Sequence, residues 1–317
     1  MLDKTGRRIE YLRLSITERC TLKCTYCRSD EGACPKRAEL SADDFVRIGR
    51  ACAALGMNKI RITGGEPLLR HDVEEIISRL AAIDGISEIA MTTNAIHLPG
   101  RARALKEAGL ARLNISLDSL QPARYAQMTG GGDLACVLAG IADSLACGLL
   151  PLKLNAVLMR GVNDDEIDDF INLAKQHPLD VRFIELMPMG DNSDIKKRIP
   201  TDEILAARPW LKPLPPRHPG QPSADYGAEG FVGRVGFISP ISHQFCGECN
   251  RIRIMSDGML RPCLGKNSEL SLLNALADVD DTTLLETIRT AVYEKPSGHA
   301  FHQEGFTPDK TMSRIGG

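Results

Sequence analysis

The 317-residue sequence has neither an excess of one charge nor a long apolar run. Its 39 lysine and arginine residues nearly balance 41 aspartate and glutamate residues, so the net charge of −2 gives no general attraction to nucleic acid or to a membrane surface. The N-terminal stretch MLDKTGRRIEYLRLSIT is charged and predicts neither a signal peptide nor a membrane span. We therefore expect a cytoplasmic protein with no membrane or nucleic acid partner, in which disulfide bonds rarely persist.

The sequence also lacks a G-x4-G-K-[ST] motif, the glycine-rich loop that holds phosphates in many nucleotide-binding proteins. A polyphosphate would therefore have to bind basic side chains. Such side chains lie on predicted strands at Arg13, Lys59, Arg61, Lys153 and Arg182. For one of them alone, a surface ion pair is the ordinary explanation. Together, on inner strand faces, they fit a lined cavity better than an apolar core.

The sequence does contain ten cysteines, which a protein without disulfides must use in another way. Six of them form a first cysteine group (Cys20, Cys24, Cys27) and a second cysteine group (Cys246, Cys249, Cys263). Three more lie in helical patterns and are predicted to be small buried hydrophobic residues: Cys52, Cys136 and Cys147. Cys34 lies in a predicted loop and is given no role.

Apolar runs rich in β-branched residues alternate with amphipathic helical patterns over the first part of the chain. Six runs predict strands, at 11–17, 59–64, 88–94, 112–118, 152–158 and 181–187. This alternation predicts an α/β fold whose parallel sheet is open or curled into a partial TIM-like (βα)6 barrel. Polar residues at the carboxyl ends of the strands, among them Thr92, Ser116 and Glu185, predict the rim that carries the active site.

The alternation stops at about residue 200. Residues 213–230 are rich in proline and glycine and are predicted to be an irregular loop or linker. Residues 251–264 predict a hairpin that turns at 256–258, followed by two helices. We expect a barrel domain over residues 1–200 and a C-terminal extension over residues 201–317. The extension must fold back if both cysteine groups serve one site.

Each cysteine group offers three thiols, one fewer than a tetrahedral zinc site or a four-iron cluster uses. Three cysteines on one loop would leave one iron of a [4Fe–4S] cluster open to a substrate. A structural zinc site completed by a distant cysteine is the alternative for the first group, and a zinc ribbon that includes His243 is the alternative for the second. Beside the second group, Arg251 and Arg253 fall on one face of a strand and suit a polyphosphate.

The first cysteine group resembles the radical S-adenosylmethionine (SAM) superfamily. Its spacing is Cys-x3-Cys-x2-Cys, Tyr26 precedes the last cysteine, and the sequence GGEP follows the second predicted strand. The resemblance implies a [4Fe–4S] cluster on this group, whose open iron binds the amino and carboxylate groups of SAM. The SAM-binding residues that it implies are Tyr26, Gly64, Gly65, Glu66, Ser116 and Met187.

Stretches along the whole chain, such as KIRITGGEPLLR and FCGECNRIRIMSDGMLRPCLG, resemble the branch of this superfamily that cyclises GTP in molybdenum cofactor biosynthesis. The resemblance implies a second [4Fe–4S] cluster on the second cysteine group, with an open iron for the guanine base. It implies GTP contacts from Arg13, Lys59, Arg61, Thr92, Lys153, Arg182, Arg251, Ile252 and Arg253. It also implies catalytic roles for Arg251, Arg253 and a tail of Gly316 and Gly317 that enters the cavity.

The implied activity is that of a lyase that converts GTP to (8S)-3′,8-cyclo-7,8-dihydroguanosine 5′-triphosphate by radical chemistry. The implied partners are a flavodoxin- or ferredoxin-type reducing protein, the cyclic pyranopterin monophosphate synthase that follows, and a second copy in a homodimer. Two alternatives stay open. One is a peptide- or RNA-modifying radical SAM enzyme with an auxiliary cluster, and the other is a non-catalytic zinc-binding protein.

Overall fold

The computed structural model describes residues 1–27, 38–189, 194–304 and 306–316. Within them the strands are β1 (Tyr11–Ser15), β2 (Lys59–Thr63), β3 (Glu88–Thr93), β4 (Arg112–Ser116), β5 (Leu152–Leu158), β6 (Leu179–Glu185), β7 (Lys212–Pro213), β8 (Ala224–Gly227), β9 (Arg234–Ile238), β10 (Arg251–Ile254), β11 (Met259–Arg261) and β12 (Leu270–Ser271). The helices are α1 (Ala42–Ala54), α2 (Val73–Ala81), α3 (Ala102–Glu107), α4 (Pro122–Thr129), α5 (Leu134–Ala146), α6 (Ile167–Gln176), α7 (Thr201–Ala206), α8 (Leu273–Ala277), α9 (Thr282–Tyr293) and α10 (Met312–Ile315).

All the described strands belong to one sheet, in the order β12-β11-β10-β1-β2-β3-β4-β5-β6-β9-β8-β7. The strands β1 to β6 are parallel neighbours and form the partial (βα)6 barrel that the alternation predicts. The sheet continues at both ends with one more parallel strand, β10 beside β1 and β9 beside β6. Short antiparallel strands then close its edges.

Alternation along each barrel strand separates an apolar outer face from a polar inner face. Leu12 and Leu14 of β1 and Ile60 and Ile62 of β2 are fully buried in the core beneath the helices. The positions between them place Arg13 and other basic residues on the inner face, where they line a cavity. The same residues that form the strands therefore position the site.

Helix α1 shows how the outer layer is fixed. Its N-cap is Ser41, whose Oγ accepts a hydrogen bond from the Asp44 amide at 3.2 Å while the Asp44 carboxylate accepts one from the Ser41 amide at 2.9 Å. Phe45, Ile48 and Cys52 form the buried face of the helix. Cys52 is thus buried as predicted. Partial exposure of Cys136 and Cys147 contradicts the same prediction for those two residues, and Cys34 lies outside the described residues.

The C-terminal part confirms the predicted hairpin but corrects the predicted linker. In the hairpin, Arg253 of β10 lies opposite Arg261 of β11. Residues 213–230 are not wholly irregular, because β8 lies among them, and β9 is a parallel strand that the sequence pattern did not predict. The run RVGFI is short and interrupted by Gly236, where a Cβ atom would overlap the Ser223 side chain. The barrel and extension boundary at residue 200 stays a prediction.

Among the described residues, every helix is too short or too polar to span a lipid bilayer.

Candidate active site

The two cysteine groups lie at opposite ends of the barrel strands. The first group follows β1 at its carboxyl end. Cys246 and Cys249 precede β10, which runs parallel to β1 with Tyr11 opposite Arg251, so they lie at the amino ends of the strands. Cys263 returns to that same end, because it follows β11 and β11 is antiparallel to β10. A five-residue strand of roughly 3.3 Å per residue therefore separates the groups along the barrel axis.

One cavity of about 350 Å³ joins the two groups, and all six of their cysteines line it. Nine lysine and arginine side chains of the described residues also line it: Arg13, Lys59, Arg61, Arg112, Lys153, Arg182, Arg251, Arg253 and Lys295. Of the carboxylates in the described ranges, Asp118 and Glu185 line it, and they are engaged by Tyr26 and Arg198 respectively. The cavity is strongly cationic although the whole chain has a net charge of −2.

The first cysteine group is held by backbone and side-chain contacts on two sides. The amides of Lys23 and Thr25 donate to the carbonyls of Thr129 and Met128 at 2.9 and 3.0 Å. The Asn94 side-chain amide reaches Cys20 Sγ at 3.8 Å. Burial raises the pKa of Cys24 well above its usual value, and the charges of Asp118, Cys27 and Cys20 raise it further. Cysteines that oppose one another's ionisation would need a bound cation to become thiolates together, which fits an iron cluster.

The GGEP segment packs against the chain just before the first cysteine. The amides of Gly65 and Glu66 donate to the carbonyls of Thr17 and Arg19, both at 2.7 Å. A Cβ atom on Gly65 would overlap the carbonyl oxygens of Glu18 and Arg19, so no other residue allows this approach. Gly64 and Gly65 line the cavity, as do the other SAM-binding candidates Tyr26, Ser116 and Met187.

Glu66 lies one layer behind the cavity wall. Its buried carboxylate accepts hydrogen bonds from Thr93 Oγ1 and the Asn94 amide, both at 2.7 Å, and from the Leu68 amide at 3.0 Å. Burial outweighs these donors and raises the pKa of Glu66 to about 7. The Glu66 carboxylate therefore supports Asn94 and, through it, the cysteine loop, and the SAM contact implied for Glu66 stays a prediction.

Tyr26 is fixed by the carboxylate of Asp118, which lies just beyond the end of β4. Its hydroxyl donates to Asp118 Oδ2 at 2.7 Å, and Asp118 Oδ1 accepts from the Val157 amide at 2.9 Å. The loop that carries Cys24 and Cys27 is thereby tied to the strands β4 and β5.

The basic side chains predicted to bind a polyphosphate converge in the middle of the cavity. Arg13 lies opposite Arg61 on β2 and opposite Arg253 on β10. Burial and the charge of Arg251 together lower the pKa of Arg253 to about 10. Among the described residues no acceptor meets Nε of Arg61 or Nη2 of Arg182, although both atoms are buried. Buried guanidinium donors without acceptors fit an anionic ligand.

Two members of this basic set adjoin acidic or amide side chains. Lys153 Nζ lies 3.6 Å from an Asp180 carboxylate oxygen, but burial and the charges of Arg182 and Arg112 lower the pKa of Lys153 to about 7. Asn155 Oδ1 accepts from Arg182 Nε at 2.9 Å and so orients that guanidinium. Thr92 also lines the cavity, and its hydroxyl meets no partner in the part of the chain that is described.

The second cysteine group lies beside Arg251 and Lys295. Burial opposes ionisation of Cys249, yet the charges of Arg251 and Lys295 lower its pKa to about 7. His243, the alternative fourth ligand of a zinc ribbon, is exposed and does not line the cavity. Its Nε2 lies 2.8 Å from Asp202 Oδ1. No three His, Cys, Asp or Glu side chains of the described ranges converge as one metal ion requires. Cysteines that bind different irons of a cluster need no such convergence.

Ile252 and the glycine tail differ in their placement. Ile252 is fully buried in the core, because Arg251 and Arg253 take the cavity side of β10, so only its backbone can contact a ligand. Gly316 follows α10 and lies against Ser15 and Thr63 at the carboxyl ends of β1 and β2. Its carbonyl accepts from Arg253 Nη1 at 2.6 Å. Gly317 lies outside the described residues.

Sequence reasoning missed Arg112, His218 and Lys295, all of which line the cavity. Arg112 opens a predicted strand and donates to Glu88 at 2.7 Å, so the argument used for Lys59 and Arg61 could have found it. His218 comes from the segment predicted as a linker, and Lys295 follows α9. No local pattern marks either residue, since the fold alone brings them to the cavity.

Comparison with known proteins identifies the family of the chain. The family model of the radical SAM superfamily matches residues 14–174, and the model named Molybdenum Cofactor Synthesis C matches residues 179–301. SuiB from Streptococcus suis, solved with S-adenosylmethionine, superposes with a TM-score of 0.62 at 17% identity over 92% of this chain and 67% of that chain, which shows the fold alone.

Curated relatives match the whole chain. A protein named GTP 3′,8-cyclase from Alkaliphilus oremlandii is 46% identical over 325 residues, 100% of both chains. One of the same name from Moorella thermoacetica is 44% identical, again over 100% of both chains. The chain belongs to the radical SAM superfamily and, within it, to the family of the GTP 3′,8-cyclases.

Proposed function

We propose that this chain cyclises GTP to (8S)-3′,8-cyclo-7,8-dihydroguanosine 5′-triphosphate, the first step of molybdenum cofactor biosynthesis, as a radical SAM lyase. The observation that carries the proposal is the single cationic cavity with a three-cysteine group at each end. A SAM-binding cluster at one end and a nucleotide held between the groups account for both the thiols and the basic residues. The relatives named GTP 3′,8-cyclase support the same activity.

Two [4Fe–4S] clusters and SAM are the cofactors of the proposal. Cys20, Cys24 and Cys27 would hold the first cluster, which when bound supplies the electron for homolytic cleavage of SAM. Tyr26, Gly64, Gly65, Ser116 and Met187 line the same end of the cavity and would contact SAM. Cys246, Cys249 and Cys263 would hold the second cluster, at the end where the guanine base would lie.

The triphosphate of GTP would bind the basic side chains between the two ends. Arg61 and Arg182 present buried donors without acceptors among the described residues, and guanidinium groups bind phosphate oxygens in pairs. Lys59, Lys153, Arg13 and the two arginines of β10 would complete the site. Because the wall is formed by short parallel strands, these groups are fixed before the substrate arrives, which favours tight positioning.

The reaction needs position and exclusion of water more than proton transfer by side chains. In the proposed reaction the hydrogen atom at ribose C3′ would pass to SAM, C3′ would bond to guanine C8, and uptake of one electron and one proton would give an isomer of GTP. The protein would hold C3′ near SAM and C8 near C3′ inside the cavity, where contact with water is limited. The catalytic roles proposed for four residues belong to this positioning of C3′ and C8: Arg251, Arg253, Gly316 and Gly317.

The remaining parts of the proposal are a flavodoxin- or ferredoxin-type electron donor, transfer of the product to cyclic pyranopterin monophosphate synthase, a homodimer and a cytoplasmic location. Each is an expectation from the resemblance or the composition.

GTP-dependent cleavage of SAM tests the proposal. Anaerobically reconstituted, reduced protein is incubated with SAM and with GTP, ATP or no nucleotide, and 5′-deoxyadenosine and nucleotides are quantified. We expect 5′-deoxyadenosine together with an isomer of GTP, only when GTP is present. A C20A variant is the control and should form neither product. Equal cleavage of SAM without GTP would favour a peptide- or RNA-modifying enzyme, and zinc in place of iron would favour the non-catalytic alternative.

A further inference from the structure

Arg7 is a buried arginine in the segment before β1. Its Nε donates to Asp3 Oδ2 at 2.7 Å, and the two side chains are nearly inaccessible, with 7% and 0% of their surface exposed. Asp3 also accepts from the amide and hydroxyl of Thr5 and from the Arg7 amide, each at 2.9 Å. Nη2 of Arg7 also lies 2.6 Å from the same Asp3 oxygen, so the guanidinium is held rigidly by two of its nitrogens while N–H groups on Nη1 and Nη2 remain for other acceptors.

Those other N–H groups reach the second cysteine group and the segment after α9. Nη1 donates to the backbone carbonyls of Cys246 at 2.8 Å and Ser297 at 3.1 Å. Nη2 donates to the carbonyls of Pro296 at 2.7 Å and Lys295 at 3.4 Å. One side chain thus joins the N-terminal segment, the loop that carries Cys246 and Cys249, and the chain around Lys295.

Lys295 continues this connection to the third cysteine. It is 1% exposed, and its Nζ donates to the carbonyl of Pro262, the residue before Cys263, at 2.6 Å. Arg7 therefore fixes one loop of the second cysteine group and Lys295 fixes the other. Because Arg7 also bonds the Lys295 carbonyl, the two loops are joined through a single chain of contacts.

We infer that Arg7 and Lys295 are positioning residues that hold the two loops of the second cysteine group in a preformed arrangement. Both bond backbone carbonyls and neither provides a thiol, so they act on the geometry of the cysteines. Hydrogen-bond partners behind metal ligands commonly tune affinity in this way. The relevance to a [4Fe–4S] cluster rests on the proposed function, but the arrangement of the loops does not.

A purely structural role for Arg7, limited to fixing the N-terminal segment, predicts a different outcome. The bond to Asp3 alone would serve that role. Arg7 instead makes four further hydrogen bonds, to backbone carbonyls of residues 239 to 290 positions away in the sequence. Its remaining donors therefore bind the loop of the second cysteine group and the chain after α9. Loss of Arg7 should therefore loosen the second cysteine group and leave the first one unaffected.

Hydrogen exchange of the iron-free, full-length chain tests the inference directly. We expect R7M and K295M to speed amide exchange in peptides covering residues 245–250 and 261–265 by about tenfold, because hydrogen bonds from charged donors are lost. Peptides covering residues 16–26 should be unchanged. The matched controls are R8M and K4M, whose side chains are 72% and 44% exposed in the same N-terminal segment. Unchanged exchange in residues 245–250, or an equal increase across the chain, would overturn the inference.

The D3N/R7M double variant covers the case in which R7M alone fails to fold, because it leaves no buried unpaired carboxylate. The K295M variant is independent of the Asp3 pair. Either variant is scored by the same peptides.

Iron binding supplies a second readout in a background in which Cys20, Cys24 and Cys27 are alanine. We expect R7M to lower the iron retained per chain on titration with a chelator and to shift the electron paramagnetic resonance spectrum of the reduced protein, while R8M matches the parent. Equal iron and an identical spectrum would contradict a role in cluster binding. If the parent itself binds no iron, the proposed second cluster fails, and hydrogen exchange alone decides the inference.

Discussion

The carbonyl oxygen of Gly316 accepts a 2.6 Å hydrogen bond from Nη1 of Arg253. Arg253 lies on β10 beside the second cysteine group, and its neighbour in the sheet, Arg13, approaches the same oxygen with Nη2 at 3.5 Å. Ile315, just before the glycine, is buried against Met189 and Met255. The end of the described chain is thus anchored at the arginines that the proposal assigns to GTP.

The G316A variant should therefore lose activity. Gly316 has a φ of +80°, and a Cβ atom there would lie 2.5 Å from Thr63 Oγ1, so alanine would displace the tail from Arg253. We expect turnover of GTP to fall by at least about tenfold with iron content unchanged. The matched control is G230A, which has the same φ of +80° but no atom within 4 Å of its added Cβ. Equal activity of both variants would show that the tail contact is unimportant.

Arg182 should contribute to binding of GTP more than to the chemical step. R182K keeps the charge but loses the planar group that Asn155 orients and the unpaired Nη2 donor. We expect the KM for GTP to rise by about tenfold while kcat changes less, since one charged hydrogen bond is lost in ground and transition states alike. R160K, at an exposed arginine paired with Glu203, serves as the control. A fall in kcat at unchanged KM would instead place Arg182 at the reacting atoms.

Lys153 should make binding of GTP depend on pH. Its pKa in the free protein is lowered to about 7 by burial and by the charges of Arg182 and Arg112. Two other titratable groups, His218 and Asp180, also face Lys153. A bound triphosphate favours the charged lysine, so above pH 7 binding must be accompanied by proton uptake. Affinity should then fall as the pH rises, by up to about tenfold per unit from pH 7.

Calorimetry in buffers of different ionisation enthalpy measures that uptake without SAM or turnover. We expect close to one proton per GTP at pH 8.5, and most of it should vanish in K153R, because arginine stays charged. Persistent uptake in K153R would assign the proton to another group of the cavity whose pKa is lowered, His218 or Arg182.

The lowered pKa of Lys153 also makes the free energy of unfolding depend on pH. A lysine whose pKa is lowered from 10.5 to about 7 binds fewer protons in the folded than in the unfolded chain between those values. Its contribution therefore makes the folded state more stable as the pH rises from about 7 towards 10.5.

How far the sequence predicts the structure depends on the range of the interactions. Leu12, Leu14, Ile60 and Ile62 alternate with basic residues, and this local pattern predicts both the strands and their cationic face. Spacing alone also identifies the cysteine groups. The strand around Gly236 escaped prediction because its formation depends on the free edge of β6, which no local pattern reports.

Long-range contacts explain the residues of the site that were missed. Arg7 lies 239 residues from Cys246 in the sequence, and its nearest neighbours suggest only a charged N-terminal segment. Lys295 reaches Pro262 over 33 residues that include α9. Such contacts form because the C-terminal extension folds back onto β1. The two cysteine groups predict that return but not the residues that make the contacts.

The transfer of deuterium from substrate to product tests the central claim most directly. Reduced, reconstituted protein would be incubated anaerobically with SAM and with GTP deuterated at C3′, and the 5′-deoxyadenosine analysed by mass spectrometry. The account predicts one deuterium in 5′-deoxyadenosine, because the hydrogen atom comes from C3′ of a nucleotide held between the two cysteine groups. 5′-Deoxyadenosine without deuterium, formed equally in the absence of GTP, would contradict it.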